Sequence, residues 1–339
     1  MRKLLVLVVL SFTALRGGAS ADVWQRSLDP RPDPDPFELW MAKGDEAAIS
    51  ANSKSISLQQ IRKDLDVALE AYRAAAKANP KSGEPHYRLG MMLHSFFFDC
   101  DPNSLTAPPP PTCQRNARID DRAREVVEAW DAFEARAPLD PRVNDILLQR
   151  ALLRTKLVMS KPGDKTLLEG ALKDYQALLD RSDGLLKHTA FLVLGNLAET
   201  HMMLGQLEQS IDVYKEAVNA GGRTSTIYGL AVALDRDERG SQATTLIRDQ
   251  TFEEFENFER EFEQGSVFYV PAGEEHYYFA LAQEAFGNFD EAIVHWKDYI
   301  KSGAHPQYQP RAKEHLDALL AKKNLRWRAP IVRDPLRGM

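Results

Sequence analysis

Eight histidines, two cysteines and 49 carboxylates are the groups in this 339-residue chain that could do chemistry, and their spacing offers little of it. Glu291 and His295 stand at i, i+4. One helix face could present both to a metal or hold them as a surface ion pair, but no third ligand follows at matched spacing. His86, His94, His188, His201, His305 and His315 are scattered singly. The sequence holds no His-Glu-x-x-His zinc motif, no Gly-x-Ser-x-Gly nucleophile turn and no Gly-x4-Gly-Lys-Ser/Thr phosphate loop. Gly221-Gly222 lacks the strand and lysine of such a loop and reads as a turn between helices. Cys100 and Cys113 stand at the feet of a polar, proline-rich stretch. In an exported chain an even pair so placed reads as a disulfide, and closing so short a loop would remove roughly 3 kcal/mol of unfolded-state entropy. With no histidine pair nearby, the two thiols are a poor metal set. The expectation is a protein with no catalytic residues, no metal and no cofactor.

Two further segments invite a sharper reading. Val270-Pro-Ala-Gly-Glu-Glu-His276 resembles the Pro-x-Gly-x-x-His segment of cupin metal barrels, but no His-x-His occurs anywhere. It reads instead as a helix entry, with Pro271 near the first turn and Glu274 and Glu275 at the positive helix end. In Thr251–Glu263, Phe252, Phe255, Phe258 and Phe262 step by 3, 3 and 4 opposite six glutamates. This aromatic stripe either packs on the neighbouring helices or forms a docking ridge for a hydrophobic partner.

The elements that must position these groups are helices. Leu65, Leu69, Tyr72 and Ala75 or Ala76 form an apolar stripe at spacings of three and four. Strand-like alternation is confined to the short run Val267–Val270. An Ala-x-x-x-aromatic step recurs at Ala68/Tyr72, Ala129/Phe133, Ala171/Tyr175 and Ala292/Trp296, with looser copies at Ser210/Tyr214 and Ala243/Ile247. A small residue four places before a large one lets a neighbouring helix approach closely and be wedged in place. With Leu89-Gly90, Leu197-Ala198, Leu230-Ala231 and Phe279-Ala280 ahead of these steps, the chain resembles the tetratricopeptide repeat family. The anchors are spaced 61, 42, 39, 33 and 49 residues apart against a family period of about 34, so the array is divergent, with loops enlarged between units. The resemblance implies an all-α, right-handed solenoid of about six helix pairs. Ala312, Leu316, Leu319 and Leu320 would form the inner face of a C-terminal capping helix.

Met1-Arg2-Lys3, the apolar run Leu4–Leu15 and Ala19-Ser20-Ala21 have the layout of a secretory signal peptide. The expected organisation is a signal peptide over 1–21 and a Pro/Asp-rich leader over 22–36. A solenoid over 37–323 carries the cysteine insertion at 97–117, and a basic tail occupies 324–339. Of the 43 basic side chains, Arg2, Lys3 and Arg16 leave with the signal peptide, so 40 face 49 acidic ones, a formal charge of −9. Nucleic-acid binding needs a basic footprint, which this balance does not supply. No later stretch approaches transmembrane length. The end of the chain, Lys322–Met339, is locally basic and could be solvated, contact an anionic surface or fold back on the acidic body.

The family resemblance implies protein or peptide binding in a concave groove lined by the first helix of each pair. On that facing, His86, Arg88, His201, Tyr228, Tyr277 and Tyr278 are the expected contact residues. The role that follows is an adaptor in a bacterial periplasm, serving an outer-membrane, secretion or motility assembly. A holdase for unfolded exported chains is the rival, and an enzyme with its site in the insertions a remote one.

Overall fold

The computed structural model describes residues 35–52, 57–97, 117–158, 165–181, 190–222, 224–251, 258–260 and 270–328. Residues 1–34 with the expected signal peptide, the stretch carrying Cys100 and Cys113, and 329–339 lie outside them. The described chain is all-α, with no strand among the described residues. Its helices are α1 (Pro36–Ala51), α2 (Leu58–Ala78), α3 (Glu84–Phe97), α4 (Ala117–Arg136), α5 (Val143–Val158), α6 (Lys165–Arg181) and α7 (Ala190–Met203). They continue through α8 (Leu207–Asn219), α9 (Thr224–Arg236), α10 (Gly240–Thr251), α11 (Glu275–Phe286) and α12 (Phe289–Ser302) to a 3-10 turn, Pro306–Tyr308, and α13 (Gln309–Arg328).

Local chemistry sets several of the ends. Asp35 caps α1 by accepting from the Phe37 amide at 3.0 Å, with Pro36 pre-set in the first turn. Ser57 caps α2 through the Gln60 amide at 3.3 Å. Gly287 and Gly303 end α11 and α12 in the left-handed conformation (φ 83° and 72°) that only glycine adopts freely.

The helices pack in order as six sequential pairs, α1/α2 to α11/α12, each second helix also resting on the first helix of the next pair. The first helices of the last four pairs touch one another in sequence, α5 on α7, α7 on α9 and α9 on α11, which makes an inner layer there. This is the expected tetratricopeptide-like solenoid. All six small-residue anchors lie on second helices, and each is almost wholly buried, as are Tyr72, Phe133, Tyr175, Tyr214, Ile247 and Trp296 four residues on. The capping helix follows the expected facing. Ala312 and Leu319 are buried, whereas Lys313, Glu314, Asp317, Lys322 and Lys323 are exposed. One boundary needs correcting: α13 continues to Arg328, so the first residues expected in the basic tail extend this helix instead.

Close approach explains the glycines of the inner layer. A Cβ on Gly229 of α9 would lie 2.4 Å from Tyr214 Cε1 of α8, and one on Gly90 of α3 2.3 Å from Trp130 Nε1 of α4. Neither aromatic is free to retreat, because each is buried to within about a percent of completeness. Gly229→Ala is therefore expected to cost about 1–3 kcal/mol by overpacking. Urea unfolding followed by circular dichroism would read it; a midpoint unchanged from wild type would show that α9 can shift to make room.

Not all of the inter-helix cement is apolar. Arg150 of α5 is 2 % exposed and bridges α4 and α6, reaching Asp174 at 2.6 Å and Glu134 at 2.5 Å. Arg154 adds Asp174 and Asp131, each at 2.5 Å. Burial pushes the Asp174 carboxyl up, and the two guanidiniums oppose that by favouring its charged form.

Candidate functional site

The six expected contact residues divide between two environments. His86 and Arg88 lie half-buried on α3, and Arg88 donates to Glu84 at 2.9 Å. Burial, then the Arg136 charge, lowers the His86 pKa, so its ring is neutral near pH 7. Around them Arg142 reaches Glu84 at 2.7 Å and Asp140 at 2.8 Å, and lays its guanidinium over the Tyr87 ring at 4.5 Å. Tyr87 in turn packs on Phe133, with centroids 5.0 Å apart. The result is a partly exposed strip of aromatic and charged groups on α3 and the turn between α4 and α5. His201 sits at the end of α7, half-buried, with Nδ1 2.7 Å from Gln206 Oε1.

Tyr228, Tyr277 and Tyr278 do not line a groove. All three are wholly buried, so no partner can touch them in this conformation. Their hydroxyls are anchored inside: Tyr277 donates to Asp235 at 2.7 Å and Tyr278 to Glu199 at 2.8 Å, while the Tyr228 ring stacks on Phe258 with centroids 3.9 Å apart. Phe258 is itself fully buried and also packs near Tyr278 and Phe279, so at this position the aromatic stripe is packing and not a docking ridge. Phe252, Phe255 and Phe262 lie outside the described residues. Where the groove of the last three pairs was expected, the chain's own side chains fill the space. The 3-10 turn contributes to this seal, with the Tyr308 hydroxyl donating to the Met202 carbonyl of α7 at 2.7 Å.

Beneath that seal lies a polar core the sequence did not announce. Glu199 of α7, 1 % exposed, accepts from Tyr214 at 3.0 Å and Tyr278 at 2.8 Å through Oε2. Arg236 of α9 pairs with Glu274, the residue before α11, and both side chains are completely buried. The Arg236 guanidinium is sandwiched between Tyr277 at 4.4 Å and Tyr308 at 4.1 Å. His305 Nδ1 approaches Glu274 Oε2 to 3.1 Å. That approach alone would favour a charged ring, but burial, then the Arg236 charge, outweighs it and holds the His305 pKa down to about 4. The imidazole is therefore neutral near pH 7.

A second cluster adjoins the first. Asp235 accepts from Tyr277, from Arg311 at 2.8 Å and from His315 Nε2 at 3.0 Å, and His315 Nδ1 reaches Glu284 at 2.8 Å. The His315 ring also stacks on Trp296, centroids 4.7 Å apart. Burial would lower the His315 pKa, but hydrogen bonds to Asp235 and Glu284 carry it up to about 9.

Other readings resolve locally. Val270–His276 leads into α11, but Pro271 lies four residues ahead of its first residue, Glu275, in the preceding turn, and Glu274 turns inward to Arg236 instead of serving only the helix dipole. Among the described residues Glu291 and His295 form no ion pair. The Nδ1 atoms of His295 and His276 lie 3.3 Å apart instead. Burial and the neighbouring His276 lower the His295 pKa.

No family model matches the sequence, and no curated protein matches it. Among solved structures the chain is similar to PilF of Pseudomonas aeruginosa, with 14% identity and a TM-score of 0.41 over 80% of this chain and 99% of that one. It is also similar to a tetratricopeptide repeat protein from Parabacteroides merdae, with 16% identity and a TM-score of 0.33 over 85% of this chain and all of the other. Identities of this order bear on fold alone, and at these TM-scores it is the six stacked helix pairs themselves, not their neighbours, that define the architecture.

Proposed function

We propose that the chain is a non-catalytic scaffold for protein–protein interaction in the bacterial cell envelope, exported by residues 1–21 and holding a partner protein or peptide on its N-terminal pairs. The observation that carries this reading is the strip formed by Glu84, His86, Tyr87, Arg88 and Arg142, half-exposed on an array whose C-terminal inner layer is sealed. A stacked array presents such a strip on a rigid, extended surface. Its mix of guanidinium, carboxylate and aromatic groups suits a polar peptide with an acidic anchor better than an unfolded apolar chain. No described helix is long and apolar enough to cross a membrane. The basic residues beyond 323 are proposed as a contact for an anionic surface.

The test is a photocrosslinking residue at position 86 in the full chain, in cells, followed by mass spectrometry of the adducts. A small set of envelope proteins, lost on Arg88→Glu while circular dichroism stays native, is the expected result. Arg88→Glu should weaken the isolated partner about 10-fold or more, the effect of an interface hot spot. A diffuse set of unrelated exported chains, insensitive to Arg88→Glu, would turn the reading to a holdase.

A further inference from the structure

The geometry points to a divalent-metal site made by Glu199, Glu274 and His305, inside the last three pairs, with Zn²⁺ as the ion the donor set fits first. One oxygen of each carboxylate and a nitrogen of the imidazole all lie within 4.8 Å of one another, and all three residues are buried. The same three residues carry atoms left over by the surrounding network. Glu199 Oε1, Glu274 Oε2 and both ring nitrogens of His305 make no hydrogen bond of acceptable geometry to any protein group. Buried polar atoms in native proteins are nearly always satisfied, and these four, with Nε and Nη1 of Arg236 left over beside them, are an exception that needs an occupant. The two carboxylate oxygens and the unprotonated ring nitrogen are three acceptors, so the missing occupant is a donor or a cation. A lone water offers two protons, fewer than the lone pairs that converge.

The groups behind the cluster behave as supports for metal ligands. Tyr214 and Tyr278 both donate to Glu199 Oε2, which fixes the carboxylate and leaves Oε1 free. Arg236 holds Glu274 Oε1, leaving Oε2 to face His305. The Tyr299 hydroxyl donates to the His305 carbonyl at 3.3 Å, fixing the turn that carries the ring. His305 also has φ 38°, a left-handed conformation that costs a non-glycine residue about 1–3 kcal/mol and clusters at functional sites. A neutral imidazole with two carboxylates is a borderline N/O donor set, suited to Zn²⁺ and next to Mn²⁺, and unlike the all-oxygen sets of Ca²⁺ and Mg²⁺. The ion would tie α7 of the fourth pair, the start of the sixth and the C-terminal turn into one unit.

The full chain, stripped with EDTA and freed of chelator, is titrated with Zn²⁺ by calorimetry and its metal content counted by mass spectrometry. Wild type is expected to retain one Zn²⁺ per chain and to melt at a higher temperature for it. Glu199→Gln and His305→Gln should each weaken binding by more than the ~10–100-fold that loss of a supporting partner costs. Glu199→Gln keeps the shape and an acceptor for the two tyrosines, so it reports even if His305→Gln fails to fold. His276→Gln, at the half-buried histidine pair, should leave binding unchanged. A folded wild type that retains neither Zn²⁺ nor Mn²⁺ would overturn the site in favour of buried water. Loss of binding on His276→Gln, or retention in Glu199→Gln, would place the metal elsewhere.

Discussion

Arg236→Met is expected to lower the stability of the folded chain by about 3–5 kcal/mol, the cost of breaking a buried ion pair from one side. Methionine nearly matches the arginine stem in volume, so cavity formation contributes little. What remains is the Glu274 carboxylate, with no exposure and no cation, together with two tyrosine rings that lose the charge between them. Such a loss is a large share of the roughly 5–15 kcal/mol by which domains are stable. The measurement is urea unfolding in chelator-containing buffer, so that metal does not enter the comparison. The companion is a double-mutant cycle with Glu274→Met. Removing both charges together should recover part of the loss, because an apolar pair can replace a buried ion pair at little cost. A single variant within about 1 kcal/mol of wild type would mean that water or a proton already neutralises Glu274.

The contrast between the two helices of each pair shows what a sequence can carry. Second helices were legible because their packing device is local: Ala68 and Tyr72, or Ala292 and Trp296, meet the same neighbour from one face, four residues apart. The first helices hid their role. Tyr277 and Tyr278 are amphipathic side chains that suit a groove or a core equally well, and the groups that draw them inward lie far along the chain. Glu199 is 79 residues from Tyr278, and Asp235 is 42 from Tyr277. Such distant pairs leave no periodicity. A weaker signal did exist. Glu199 follows an uncharged run, Ala190–Ala198, and Asp235-Arg236 closes the uncharged run Thr224–Leu234. A charge on a helix with no polar face has nowhere to point but inward, and must meet a partner there. His305 could not be found this way, since it belongs to a turn that contacts such as Tyr308–Met202 and Tyr299–His305 fold back onto the core.

The second cluster makes stability depend on pH in the alkaline range. His315, on α13, is 10 % exposed and faces Asp235 of α9 and Glu284 of α11, with Arg311 of its own helix sharing Asp235, Tyr277 donating to that carboxylate and the uncharged Trp296 stacked on its ring. Its pKa is about 9 in the folded chain against 6.5 as the ordinary value. A raised pKa means that the folded state holds the proton more tightly than the unfolded state does. The stabilisation is thus complete below pH 6.5, declines as pH rises above it, and is gone once pH passes about 9. Two to three pKa units correspond to about 3 kcal/mol. Neighbouring tyrosines do not confuse the window, because burial pushes Tyr277 and Tyr278 well above the usual phenol range. Wild type should therefore melt progressively earlier between pH 6.5 and 9.5, and His315→Gln should flatten that decline while starting from a lower stability at pH 6. Gln retains a donor for Asp235 but no titrating charge, so the slope isolates the proton from the packing. Equal slopes in the two proteins would mean that His315 is neutral in the folded state, and that Arg311 alone answers Asp235.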